Sequence, residues 1–563
     1  MQKRFFSFSA IAFMAILLFT SCSKKTNKQG RYIPETVAAV MHINGESLNA
    51  KLPWEEIKKN EWFAEMQKDS TMSGFSKSIL ENPANSGVNV KGDILIFYVT
   101  DSSGNYAALE GAITDETKFK SMLLEANKNG KEIVKDGYTY FTDEKNCVAY
   151  NKERFFATMA TNDYNYFANP LPLPLDTGYS DVNTTAKKDM SIVAAQLVAL
   201  AEDKSMAKNE KFSELLANKG DAHFWINAKY IGGTKNLAGM AAMANISKLY
   251  DGAITVGTLN FENGKIDIDA KSYGGKEITD LYKNYNGTGV DKTMLQNIPS
   301  QNVAGVFAFN FKPAGIKEFL KILNMDGLAN LGAAQIGFNL EEFVKANKGD
   351  ILIAATDVKE DSASFGQPTA KFIFATSIGD KPSFNKIIDA GKKYGSALGS
   401  MGAEKFAFNT NDKYFVLSND KVSADKFLAG STAAAPSYVD KIVGGPFGGF
   451  VNFQYLINSM KPKTDADSAS VAMYNASLKM WDNMILNGGN FKDGGITQHW
   501  EINMVEKNSN SLKQLNNYLG TMSIIQEKKK TKNNIAWMSE DVMTQAIDST
   551  MIVSPPKKAP AKK

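Results

Sequence analysis

The strongest constraint on this chain is that most of it is written twice. Lys91-Gly92-Asp93-Ile94-Leu95-Ile96 recurs identically as Lys348-Gly349-Asp350-Ile351-Leu352-Ile353. Five further matches run in the same order. Ile33-Pro34, opening a strand that ends at Asn44, matches Ile298-Pro299 and a strand ending at Asn310. Trp225-Ile226-Asn227-Ala228-Lys229-Tyr230 matches Phe450-Val451-Asn452-Phe453-Gln454-Tyr455. Tyr250-Asp251 matches Trp481-Asp482, Phe261-Glu262-Asn263-Gly264 matches Phe491-Lys492-Asp493-Gly494, and Lys283-Asn284-Tyr285 matches Asn516-Asn517-Tyr518. The offset drifts from 265 to about 230. Collinear matches with a drifting offset indicate a tandem duplication with later loop deletions. The period is a whole domain, too long for a solenoid repeat. We place repeat one at 31–290 and repeat two at 298–521.

Each copy alternates hairpins with helices. Ile94 to Thr100 and Tyr106 to Ile113 flank the turn cluster Asp101-Ser102-Ser103-Gly104-Asn105, which predicts a β-hairpin. Apolar spacing predicts a helix over Glu116 to Asn129 and another over Thr185 to Ala201. Tyr138 to Phe141 and Cys147 to Met159 form a second hairpin, and Gly252 to Phe261 pairs with Lys265 to Ser272 through an Asn-Gly turn. Hairpins imply antiparallel pairing, so the expected class is α+β: two tandem homologous modules, mostly antiparallel sheets with interleaved helices. The remainder, 522–563, is a basic tail with a short helix over Ala536 to Ser549 and a disordered Pro-Lys-Ala end.

The chain begins with a different kind of signal. Lys3 and Arg4 precede an apolar run from Phe5 to Phe19, followed by Thr20, Ser21 and Cys22. This is the pattern of an export signal over 1–21, too short to span a bilayer comfortably. Leu18-Phe19-Thr20-Ser21-Cys22 resembles a loose lipobox, with Phe19 where leucine is usual. The resemblance implies lipidation at Cys22 and a polar tether over 22–30. Ser23 after the cysteine points to the outer membrane, and Lys24, Lys25 and Lys28 in place of an acidic run favour its periplasmic face. Cys147 is the other cysteine, so no intramolecular disulfide accompanies an acylated Cys22. The segment from Lys528 onward carries eight lysines against Glu540, Asp541 and Asp548, which leaves the body between slightly acidic. That profile excludes nucleic acid as the expected partner.

The motifs of common enzymes are absent. There is no His-Glu-x-x-His, no Gly-x-Ser-x-Gly and no Gly-x-x-x-x-Gly-Lys-Ser/Thr. The three histidines, His42, His223 and His499, have no histidine counterpart in the other copy, so no duplicated histidine or metal site is expected, and no cofactor. His499 reads as a solvent-facing residue on the polar side of a strand. The polar positions kept in both copies are Asp93 with Asp350, Asp251 with Asp482, Asn44 with Asn310, and Asn227 with Asn452. Aspartate after glycine at a strand start caps a turn, and asparagine at a strand end bonds backbone, so these positions are expected to be structural.

The lipobox, the opening Ile-Pro-x-x-x-Ala-Ala-Val, the Lys-Gly-Asp-Ile-Leu-Ile strand and the two-copy body together resemble a group of Bacteroidota lipoproteins defined by a domain of unknown function. The resemblance implies anchoring and fold but carries no catalytic residue. The expected function is a membrane-anchored envelope lipoprotein that binds or scaffolds without catalysis, its partner an envelope protein, lipid or glycan. The alternatives are a hydrolase using carboxylates and a carrier of an apolar ligand in a groove between the modules.

Overall fold

A computed structural model describes residues 29–529, apart from 69–72, 101–103, 144, 162–187, 232–244, 361–367, 396–405, 431–434 and 464–465. The export signal, Cys22 and the basic tail with its expected helix lie outside the described residues. The strands are β1 (Ala39–Ile43), β2 (Ile94–Val99), β3 (Tyr106–Ala112), β4 (Lys131–Lys135), β5 (Tyr138–Thr142), β6 (Asn146–Tyr150), β7 (Arg154–Ala160), β8 (Ala222–Asn227), β9 (Ile254–Glu262) and β10 (Lys265–Tyr273). They continue as β11 (Val303–Asn310), β12 (Asn347–Glu360), β13 (Pro368–Ile378), β14 (Ala407–Thr410), β15 (Tyr414–Ser418), β16 (Phe447–Asn452), β17 (Trp481–Lys492) and β18 (Gly495–Met504).

All 18 belong to one sheet. In the first half the spatial order is β4-β5-β6-β7-β3-β2-β1-β8-β9-β10. In the second it is β18-β17-β16-β11-β12-β13-β15-β14. The junction is β10 against β18, and every pairing in the sheet is antiparallel. The α+β class is therefore what the chain adopts.

Local chemistry explains where elements stop. The helix expected to reach Asn129 ends at Ala126, because the Asn127 side chain accepts from the Asn129 backbone N–H and opens a turn. Of the helix expected over Thr185 to Ala201, residues 185–187 lie outside the described residues, and the described part forms Met190–Val198, with Asp189 as its cap accepting from the Ser191 N–H. The β17–β18 hairpin turns on two residues, Asp493 (φ 47°) and Gly494 (φ 76°). Two positive φ values give the turn whose twist matches the strands.

Paired residues in an antiparallel sheet project to the same face, so sides can be followed across many strands. One face carries two helix-covered cores. The first holds Val40, Leu95, Phe97, Trp225 and Val256 beneath the helices Met190–Val198 and Glu210–Ala217. The second holds Val306, Leu352, Ala375, Val416 and Phe450 beneath Lys421–Ala429 and Val439–Ile442. On the opposite face, at the junction, Ile266 packs with Met480, Met504, Trp481, Leu515 and Tyr518, the last two from the helix over 511–529. Among the described residues no helix is long and apolar enough to cross a membrane.

Trp225 is fully buried, with Phe212 edge-on at 5.9 Å between ring centres. Trp225→Ala should cost about 3–5 kcal/mol, read as a lowered urea midpoint.

Candidate functional site

Between the two helix-covered cores the same face turns polar. Strict alternation in β10 sends Ile266, Ile268 and Ala270 to the covered side and Lys265, Asp267, Asp269 and Lys271 to the other. In β18 the corresponding polar row is Thr497, His499, Glu501 and Asn503. The register sets Asp267 opposite Glu501 and Asp269 opposite His499. These side chains floor a valley between the helices Glu210–Ala217 and Val439–Ile442, which sit on the flanking cores. A cavity of about 700 Å³ opens at one end, lined by Lys211 and Glu214 of the first helix and by Lys271, Tyr273 and Asp493. The Lys211 ammonium lies 4.6 Å from the centre of the Tyr273 ring.

Two carboxylates directly opposed across a strand pair repel, and the floor supplies cations against this. Lys265 Nζ lies 2.9 Å from Asp267 Oδ2 and 3.0 Å from Glu501 Oε1. His499 Nδ1 donates to Asp269 Oδ1 at 2.8 Å. Its Nε2 then faces Glu501 Oε1 at 3.5 Å and Asp267 Oδ1 at 3.7 Å. Burial alone would lower the pKa of His499, but the hydrogen bond and charge of Asp269, with Glu501 and Asp267, raise it on balance. Burial alone would raise Glu501, but Lys265 and then His499 bring it below the usual carboxylate range. His499 is thus not the solvent-facing residue expected from sequence: its side chain is 32% exposed and engaged on both ring nitrogens.

All three histidines fall in one cross-strand row: His42 pairs with His223, His223 with Thr258, Thr258 with Asp269, and Asp269 with His499. The row continues through Asn487 and Gly448 to Ala308. No sequence signal marks this, because the five polar positions come from five separate strands. His42 and His223 are buried with their Nδ1 atoms 3.0 Å apart. His223 Nε2 meets the Asn218 carbonyl at 3.1 Å and must donate to it, so the proton between the rings belongs to His42.

The polar positions matched within the sequence do not converge. Asp93 accepts from Gln29 and lies 3.4 Å from His42 Nε2. Asp350 accepts from Asn310 Nδ2 at 2.6 Å and from the Ser377 hydroxyl at 2.8 Å. Asp251 and Asp482 take exposed ion pairs with Lys229 and Lys507. Asn44 and Asn452 cap helices by accepting from the backbone N–H groups of Ser47 and Tyr455. Asn227 accepts from the Lys229 N–H and Asn310 from the Thr288 N–H. Cys147 is buried, which pushes its thiol up to about 12 and leaves it inert.

A family model described as "Domain of unknown function (DUF4836)" matches residues 31–427. No curated protein matches the chain. Among solved structures, crystal form III of TP0453 aligns at 11% identity over 47% of this chain and 86% of that one. Crystal form I aligns at 10% identity over 46% and 81%. Both have a TM-score of 0.24, too low to carry a structural argument.

The buried histidine pair predicts acid sensitivity. Burial, then the neighbouring His42, lowers His223 from 6.5 to about 4, against the opposing pull of the Asn218 carbonyl, Asp93 and Asp221. The unfolded chain takes up this proton near pH 6.5 and the folded chain only near pH 4. Stability is therefore complete above pH 6.5 and falls, by roughly 3 kcal/mol at most, as pH drops to 4. Urea unfolding across that window should show a shallower fall for His223→Gln than for the parent. Equal falls would contradict the assignment.

Proposed function

This chain belongs to the family described as Domain of unknown function (DUF4836), and from that premise, which brings no activity with it, we propose that it is a non-catalytic binding or scaffolding lipoprotein of the cell envelope. Its ligand-facing surface is the polar valley over β10 and β18. The observation that carries this reading is the β10–β18 pairing, which joins two helix-covered cores into one sheet with a polar strip between them on that face.

The tandem duplication read from sequence supports it. Aligning Asn263-Gly264 with Asp493-Gly494 makes Asp269 and His499 equivalent positions. These two residues pair with each other. Two related modules thus meet edge to edge through the same strand of each, about a local two-fold axis at Asp269 and His499. Such an interface between domains is where ligands preferentially sit.

The chemistry of the valley narrows the partner. Lysines, acids and a histidine line it, which suits a peptide or glycan rather than an acyl chain. The apolar side of the same strands is already covered by the helix over 511–529. That covering helix counts against the alternative of an apolar-ligand carrier at this junction. A hydrolase needs a carboxylic acid with a raised pKa; at this junction Lys265 and His499 hold Glu501 low, and the carboxyl that burial raises to about 7, Glu110, stands elsewhere, on β3.

Anchoring completes the reading. Lipid on Cys22 would hold the body by a tether of about ten residues, reaching at most about 35 Å, at the outer membrane and facing the periplasm. Two experiments test it. Cells fed radioactive palmitate should label the parent protein and not Cys22→Ala, and equal labelling would remove the anchor. The full chain recovered from membranes should carry a peptide or glycan, detected by mass spectrometry, that is lost or reduced at least tenfold in Lys211→Glu. Recovery of no such species, or undiminished recovery with the variant, would count against the valley as the binding surface.

A further inference from the structure

We propose that Asp267, His499 and Glu501 form a binding site for one divalent transition-metal ion, with zinc the ion that the donor set fits best. The juxtaposition itself is the first argument. One ligand atom from each of the three residues lies within 4.8 Å of the others. A tetrahedral zinc ion with bonds of about 2.0–2.2 Å holds its ligand atoms about 3.3–3.6 Å apart. His499 Nε2 stands 3.5 Å from Glu501 Oε1 and 3.7 Å from Asp267 Oδ1. Those two separations are already close to the required ones, and the third pair, the Asp267 and Glu501 oxygens, lies within 4.8 Å, so closing around an ion requires side-chain movements of about an ångström at most.

The second argument is an orphaned acceptor. Asp267 Oδ1 is shielded from solvent and has no hydrogen-bond partner. A buried carboxylate oxygen left without a partner is costly, and this one faces the imidazole nitrogen. Lys265 occupies the other oxygen, Oδ2. Coordination at Oδ1 uses the lone pair that the protein's own donors leave alone.

The third argument concerns tautomer and charge. Asp269 accepts the Nδ1 proton of His499, which directs the Nε2 lone pair of the neutral ring at the two carboxylates. A carboxylate behind a metal-binding histidine orients the ring and raises its basicity. Asp267, Asp269 and Glu501 bring three negative charges against the one of Lys265, so the cluster has a deficit that a dication corrects. With three protein ligands the ion would keep one position for a water molecule or an anionic group of whatever enters the valley. The site is carried by β10 and β18 alone, so it stands or falls independently of the anchoring and partner readings.

The test uses the full chain without an affinity tag, stripped of metal and held in detergent. Titration with Co²⁺, followed by its visible absorption, and with Zn²⁺, followed by calorimetry, should each saturate at one equivalent. His499→Ala and Asp267→Asn should weaken binding at least a hundredfold. Asp269→Asn, which touches the ion only through His499, should weaken it about 10–100-fold. Lys265→Met should tighten it about tenfold by removing the competing cation. His42→Ala should bind as the parent does. Circular dichroism and a melting curve on each variant separate lost binding from lost folding. No saturable binding by the parent, or equal binding by folded His499→Ala and Asp267→Asn, would overturn the proposal.

Discussion

The pairing of β10 with β18 is the contact on which the remaining architecture depends. Without it there are two sheets, each ending in a long bare edge. With it, a run of eight residue pairs from Lys265↔Asn503 to Ser272↔Ile496 makes the sheet continuous. Backbone hydrogen bonds fix the register, and register fixes which side chains meet. A slip of one residue would send Ile266 and Ile268 to the valley and Asp267 to the apolar side. The packing of Ile266 against Met480, Met504 and the 511–529 helix resists that slip. The hydrophobic contacts on one face therefore determine which polar groups stand together on the other.

Much of the fold can be read from residues. The alternation in Lys265-Ile-Asp-Ile-Asp-Ala-Lys and the turns at Asn263-Gly264 and Asp493-Gly494 announce hairpins, and hairpins imply the antiparallel class. Helix ends are less legible, because they are decided by single side chains such as Asn127 and Asp189 choosing a backbone partner. What lies out of reach is the junction itself. β10 and β18 are 230 residues apart in sequence, and nothing in either strand names its partner. His499 looks like a surface residue because its alternation places it on the polar side, and only the pairing shows that this side is enclosed by Asp267, Asp269 and Glu501. Of the polar positions matched within the sequence, Asn44 and Asn452 cap helices and Asp251 and Asp482 take exposed ion pairs, so those matches point to folding rather than to chemistry.

The two halves differ where their polar content differs. In the first, the row crossing the sheet runs through His42, His223 and Thr258. At the corresponding distance on the other side of the junction it runs through Asn487, Gly448 and Ala308. Buried imidazoles demand partners, and in the first half His42 donates to His223, which donates in turn to the Asn218 carbonyl. The second half avoids that demand with residues that do not titrate, Asn487 donating its amide to the Lys441 carbonyl. The first half thus carries a pH-sensitive histidine pair in its interior.

An open sheet of this length raises the question of why it stops. A bare strand edge is a template for another chain, and the two ends here are β4 and β14. Both are short: five residues and four, against nine to twelve in β9, β10, β17 and β18. β4 begins and ends in lysine, and Lys120 pairs with its Glu132. Charged side chains on a short edge discourage a further strand from adding. Length and alternation are concentrated at the centre instead, where the edge strand of each half already has its partner. The sheet thus spends its capacity for pairing internally, and the polar strip that results is the surface it has left to offer between its two cores.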